Sequence, residues 1–424
     1  MKAAAIRLLP LATVALIGLN LRPFLTGVGP LTEAIDGATG LGLQGMALLT
    51  LLPMLLMGVG AFAAPSLQHA LSPKRLVVLA VALLAAGSSV RLFAAEGWQL
   101  LGTAVLCGLG AAVVQAVLPG IIKRDFPRQV TIVMGLYSAT LMGGGALGAQ
   151  VTPILAEVSG SWRIGLAVLA LPAIAALAFA IRLPSGGASL AASGATAALL
   201  RRPRAWTLMV CFGLVNGGYA SAVAWLAPFY QERGWGAEAG GSLLAVLAIS
   251  QAAAALALPI AARGSPDRRP WLWLTLAMQG AGFAGLALAP QTAPLAIAVL
   301  LGAGLGGCFA LMMIVALDHL PDPAEAGALS ALMQGGGFMI AALAPWIVAA
   351  LHDRIGGFVV GWMLHLVCVA AVAALIASLA PERYARAMAT AFKDPMSRTS
   401  RATDPVLHAS QIRRPGETSI DVSQ

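Results

Sequence analysis

Charge is scarce in this sequence. Of 424 residues, 10% are Asp, Glu, Lys or Arg, where a soluble domain carries about 25%. With 59% hydrophobic residues in long runs from end to end, an ordinary water-soluble globule is excluded. Cysteine is nearly absent too. Cys107, Cys211, Cys308 and Cys368 all fall inside apolar runs and none forms a CxxC pair, so neither a disulfide framework nor a thiolate metal site is expected. The five histidines (His69, His319, His352, His365, His408) are scattered. There is no HExxH, no GxSxG and no phosphate-binding loop, which argues against an enzyme and against any cofactor or metal. Acidic residues are fewer than basic ones, 17 against 26 for a net +9. The basic residues punctuate the apolar runs without aromatic interleaving, so nucleic acid is not the expected partner. No acidic residue sits mid-run: Glu33 and Asp318 stand at the ends of theirs, and no carboxylate proton relay is visible.

What remains is apolar sequence in membrane-length pieces. A span needs about 20 residues. The runs divide into twelve: 8–35, 45–68, 76–95, 98–121, 131–156 and 163–182, then 206–230, 240–262, 271–290, 293–317, 326–351 and 357–380. The expected class is therefore an all-α polytopic membrane protein. Lys2 and Arg7 followed by Leu8–Leu19 resemble a signal peptide, but no small-x-small site follows, so this reads as a retained first span. Before the tail, 14 basic residues fall in segments on the side of the N-terminus and three (Arg163, Arg233, Arg354) on the other. The positive-inside rule then puts both termini in the cytoplasm. The domain reading is 1–182 as a six-helix bundle, 183–205 as a flexible basic linker, 206–380 as a second bundle, and 381–424 as a mostly disordered tail.

An internal repeat organises these spans. Residues 135–153 align without gaps on 327–345 at a shift of 192, with Gly135, Ser138, Ala139, Gly143, Gly144, Gly145, Ala149 and Pro153 identical to their partners. This pairs the fifth span with the eleventh, as two pseudo-symmetric halves of the same orientation require. Parallel six-helix repeats make the major facilitator fold, with a solute site between the halves near the midplane. Within that architecture the chain resembles the bacterial cyanate/2-nitroimidazole transporter family. The resemblance rests on Asn20-Leu21-Arg22-Pro23 with Val28-Gly29-Pro30, on Val117 to Pro127 and on Gly135-Leu136-Tyr137. Ala224 to Pro228 and Leu329 to Gly337 complete it. It implies uptake of a small anionic or nitrogen-containing solute across a bacterial cytoplasmic membrane. Two departures stand out. The loop Leu71 to Arg75 keeps only the basic end of the superfamily's Asp-Arg-x-Gly-Arg pattern, and Asn216 stands where the family more often has a small hydroxyl.

Arg22 is the first site candidate. A guanidinium in hydrocarbon costs roughly 2.5–3.5 kcal/mol on insertion scales, so it is expected to face protein or water, as an anchor for an anion. The bland alternative is packing against neighbouring carbonyls. At 100° per residue, Arg22, Thr26, Gly29 and Glu33 would form one helical stripe leading to the outer mouth. Asn216 and Tyr219, three apart in the seventh span, are expected to face Arg22; Asn20, Gln115, Tyr137 and Gln334 complete the candidate lining. Glu33 and Trp225 are the gating or coupling candidates. Trp225, Phe229, Tyr230 and Trp235 suit an interfacial belt or an outer gate. Gln251 is a further intramembrane amide, Gln279 reads as structural, Arg91 as snorkelling outward and His365 as a satisfied core residue.

The leading function is a secondary transporter, alternating access between the halves as a monomer in the bilayer. Its partner is a small-molecule solute, with a co-transported proton left open. A multidrug or metabolite exporter is the alternative. A receptor or intramembrane enzyme belongs to another class, and neither would need the 192-residue repeat.

Overall fold

The computed structural model describes residues 2–126, 130–182, 195–262, 264–321 and 323–388, and among these there is helix and turn but no strand. Eleven stretches are long and apolar enough to cross a membrane: Leu9–Thr39, Gly42–Ala63, Pro73–Phe93, Gly97–Leu118, Trp162–Ile181, Pro203–Gln231, Ala237–Ala262, Arg269–Leu288, Pro294–Asp318, Glu325–Ile355 and Val359–Ala377. The 30-residue helix Val130–Ser159 occupies the place of the expected fifth span. Spans are numbered below as in the sequence reading. Residues 183–194 of the expected linker and 389–424 of the expected tail lie outside the described residues; a helix Ala195–Leu200 precedes the seventh span.

Local chemistry sets the helix ends. Ser72 caps the third span, its hydroxyl accepting the Arg75 amide at 3.4 Å. Glu96 and Gln99 form a reciprocal capping box on the fourth. Pro203 and Pro294 sit in the first turns of the seventh and tenth spans, where a missing N–H costs nothing. Gly40 ends the first span at φ 63°, a left-handed cap that suits glycine.

The first and sixth spans are not continuous. The first consists of a helix Lys2–Leu19, a turn through Asn20–Arg22, a short helix Pro23–Thr26, a 3-10 turn Gly29–Leu31 and a helix Thr32–Thr39. Pro23 and Pro30 lack the N–H that would bond four residues back, and Gly27 and Gly29 add freedom between them. The sixth span breaks between Trp162–Ala167 and Ala170–Ile181.

Small residues let helices meet at their backbones, which is how apolar helices associate when lipid is as apolar as leucine. The repeated glycines do this in both copies. A Cβ on Gly144 of the fifth span would lie 2.0 Å from the Leu19 carbonyl oxygen, and one on Gly148 2.6 Å from Pro23 Cα. In the eleventh span, a Cβ on Gly337 would lie 2.5 Å from Phe212 of the seventh, and one on Gly335 3.0 Å from Ala61 of the second. Thus the fifth span supports the first as the eleventh supports the seventh. The second span runs along the eleventh and the fifth along the eighth, and these pairs join the first six spans to the last six.

The end of the bundle away from the termini, here the distal end, is tightly closed. A Cβ on Gly29 would meet the Val223 carbonyl oxygen at 2.6 Å. The Gln231 amide donates to the Pro30 carbonyl at 2.7 Å, and Gln44 donates to Asp353 at 3.1 Å. Beside this closure Trp225, Phe229 and Tyr230 are buried to within 1%. Trp225 packs on Phe358 and Phe229 on Trp362, and the Trp225 indole donates to the Pro345 carbonyl at 2.9 Å. These rings form a protein core at the distal end, the position that the alternative reading as an outer gate calls for, and not a lipid-interface belt. At the opposite end, Arg268 pairs with Asp318 at 3.6 Å. The neighbouring Arg269 guanidinium grips Asp267 at 2.7 Å and holds its carboxyl below the usual range. The loop between the eighth and ninth spans therefore carries charge pairing of the kind sought between the second and third.

Candidate functional site

The site forms at the first-span break. In an α-helix the Val28 amide would bond to the Phe24 carbonyl. Here it bonds to Leu25 at 3.3 Å, and the Leu31 amide bonds to Val28 at 3.0 Å. Both are one residue short of the α-helical partner, so the carbonyls of Phe24 and Gly27 lose their helical donors. In hydrocarbon each must find another. Arg91 Nη1 of the third span donates to the Phe24 carbonyl at 3.1 Å, and the Thr152 hydroxyl of the fifth donates to Gly27 at 2.9 Å. The Thr26 hydroxyl donates to the Gly145 carbonyl at 2.7 Å, and the Asn20 amide to Pro172 at 3.0 Å, where the sixth span is itself broken.

This scaffold presents Arg22. The residue is the N-cap of the short helix Pro23–Thr26, at φ −121° and ψ −26°. Its Cβ would lie 3.5 Å from one built on Gly145, an ordinary van der Waals contact with the fifth span. The guanidinium carbon stands 4.3 Å from the centre of the Tyr219 ring in the seventh span. Such a cation–π contact, when desolvated, contributes about 2 kcal/mol. Arg22 is 6% exposed, and its Nη1 is buried with no hydrogen-bond partner. The Tyr137 hydroxyl of the fifth span lies within the field of the same guanidinium. An unsatisfied cation under an aromatic face has the donors and the charge to take up a small anion.

The other candidates are placed as follows. Asn216 is buried one turn before Tyr219, its amide donating to Phe212 of its own helix at 2.8 Å. Gln115 and Gln334 are half-buried. The Gln115 amide reaches Met57 sulfur at 3.7 Å, and Gln334 leans on the Ser330 carbonyl at 3.5 Å. The expected stripe does not form, because the helix is interrupted between Arg22 and Glu33. Thr26 is bonded into the fifth span, Gly29 abuts the seventh, and Glu33 is exposed on the final helix. Asn20 likewise ties to the sixth span, its amide donating to the Pro172 carbonyl. Trp225 is locked within the distal core.

Arg91 overturns the snorkelling expectation. It is 0% exposed, bonded to Phe24 and, through Nε, to the Thr103 hydroxyl at 3.3 Å. Its place near a span end suggested lipid headgroups. The polar neighbour Ser88, three residues back on the same helical face, was the available sign that this face turns inward. His365 is also not satisfied as expected: neither ring nitrogen has a partner, and the ring stacks on Phe283 at 5.1 Å. Gln279 ties the ninth span to the Gly304 carbonyl at 3.1 Å. Gln231 and Thr152 carried no signal in the sequence beyond a lone polar residue each.

Long apolar helices with a broken one that holds an arginine between two halves define a solute transporter of the polytopic helical class. The Major Facilitator Superfamily model matches residues 14–345. The cyanate transport protein of Escherichia coli is 44% identical over 377 residues, 88% of this chain and 98% of that protein. The 2-nitroimidazole transporter of Escherichia coli is 30% identical over 377 residues, 88% and 94% of the two chains. Among solved structures, a bacterial homologue of the lysosomal transporter Spinster, in an inward-facing, occupied conformation, superposes with a TM-score of 0.74. It is 15% identical and covers 91% of this chain and 99% of its own. A D-xylose–proton symporter gives 0.73 at 14% identity, over 88% and 98%. The chain belongs to the major facilitator superfamily. It is a transmembrane transporter for a small molecule, and its bacterial relatives and multi-span build place it in a bacterial inner membrane.

Proposed function

We propose that this transporter takes up a small anion such as cyanate, or a small nitrogen compound with concentrated negative charge, by alternating access as a monomer. Arg22 is the anchor. The observation that carries the reading is the partnerless Nη1 of Arg22 beneath the Tyr219 ring. A solute bound there touches the first span and the seventh at once, one from each six-span bundle (1–182 and 206–380). Binding is thereby coupled to how the bundles sit against each other. The cargoes for which the two relatives are named, cyanate and 2-nitroimidazole, are both small and nitrogen-containing. Their shared chemistry suits a planar guanidinium with a free donor. The same reading puts both termini in the cytoplasm, which makes the distal closure the periplasmic one. Asn216, Tyr137, Gln115 and Gln334 are the remaining polar candidates for the wall.

The test is uptake of labelled cyanate into proteoliposomes. Removing a charge-assisted hydrogen bond of about 1.5–3 kcal/mol predicts that Arg22→Gln loses roughly 10- to 150-fold in kcat/KM. Wild-type uptake by a correctly folded Arg22→Gln protein would sink the anchor, and absence of saturable cyanate uptake by the parent would sink the cargo assignment.

A further inference from the structure

The first-span break needs several donors, and most that supply them are neutral: Thr152 serves Gly27 and Gln231 serves Pro30. Arg91 alone brings a charge to this task, at 0% exposure, with Nη2 left without a partner. A buried cation is a costly way to satisfy one carbonyl that a hydroxyl or an amide could satisfy. What the guanidinium adds is geometry. Its planar fork donates in two directions at once, through Nη1 to Phe24 of the first span and through Nε to Thr103 of the fourth, while its own backbone belongs to the third. Thr103 is fixed in turn by donating to the Leu100 carbonyl at 2.7 Å. Phe24 lies in the one-turn helix whose N-cap is Arg22. That helix has four residues and little rigidity of its own, so the direction of Arg22 follows from what clamps it.

We propose that Arg91 is the positioning residue for Arg22: by locking the Phe24 carbonyl to the third and fourth spans, it aims the Arg22 guanidinium at the Tyr219 ring. This rests on Arg22 being the anion anchor, but the aim of Arg22 can be read without any solute. Thr152 and Thr26 tie the break to the fifth span. Arg91 is thus the clamp on the side facing the third and fourth.

The experiment labels the full-length protein in nanodiscs with phenylglyoxal, an arginine-selective reagent, and reads modification of Arg22 by peptide mass spectrometry. With no solute present, the parent should label slowly, because the guanidinium lies against Tyr219. Arg91→Gln keeps one amide donor and loses the fork. It should raise the Arg22 rate by about fivefold or more, as expected for a coupled neighbour, and Arg91→Lys should recover only part of the difference. A parental rate at Arg22 in folded Arg91→Gln overturns the proposal. If Arg91→Gln does not fold, Arg91→Lys decides alone: a rise of about twofold or more supports the proposal and a parental rate overturns it.

A transport arm separates positioning from general support. With cyanate as the probe, Arg91→Gln should raise KM by about tenfold with kcat within about twofold, and should add nothing in an Arg22→Gln background. Additive effects in that background overturn action through Arg22. If the parent carries no cyanate, the cargo reading fails and the labelling arm still decides the role of Arg91.

Discussion

Arg22 and Arg91 show how far a single residue can be read from sequence. Both are arginines in apolar runs, and the energetic argument that such a charge must face protein applies to each. It identified Arg22 because nothing near the middle of a run offers an escape. For Arg91 the nearby span end offered one, and only the fold reveals that the side chain turns inward to Phe24. Tyr219 was within reach of the sequence because helical spacing and the pairing of the first span with the seventh both pointed to it. Its role at 4.3 Å from Arg22 is open to a graded test. Tyr219→Phe keeps the aromatic face and should leave cyanate KM within about twofold, whereas Tyr219→Leu, which forfeits about 1–2 kcal/mol, should raise KM roughly 5- to 30-fold. Equal KM values for the two variants would show that the ring face contributes nothing.

At the scale of the element, the repeat was legible and the break was not. The repeated glycines announced paired close contacts, and Gly144 in the fifth span and Gly335 to Gly337 in the eleventh make them. The first span was treated as one helix, and the stripe from Arg22 to Glu33 followed from a constant turn per residue. Pro23, Gly27, Gly29 and Pro30 were the visible warning. Their effect depended on donors from three other spans, which no local pattern discloses. The glycine contact is testable within three consecutive residues. Gly144→Ala forces a Cβ to 2.0 Å from the Leu19 carbonyl oxygen, while Gly143→Ala meets nothing within 4 Å. Overpacking of this kind costs typically about 1–3 kcal/mol. Gly144→Ala should therefore unfold at clearly lower temperature than the parent, with Gly143→Ala unchanged. Matching melting curves for the two would refute the packing described here.

For the whole molecule, the proposed alternating access requires the distal contacts to part. Gly29 makes one of the close ones, since a Cβ there would lie 2.6 Å from the Val223 carbonyl oxygen. Gly29→Val should hold the halves apart at that end. A cysteine replacing Asn216 would then react with a membrane-impermeant maleimide from the periplasmic side at least about tenfold faster than in the Gly29 parent, and uptake should stall. Unchanged reactivity would mean that the closure lies elsewhere. The succession of spans was legible in the distribution of apolar runs. The way the ends fit was not, because it depends on which backbone atoms meet across two halves.

That the distal door shuts on glycine and carbonyl groups has a practical meaning. Such a latch works by backbone fit and the hydrogen bonds of Gln231 and Gln44, while the proposed recognition of cargo rests deeper, around Arg22. The two duties are carried by different atoms. An engineer could in principle retune the cargo at Tyr219 or Asn216 and leave the door's hinges and jamb untouched.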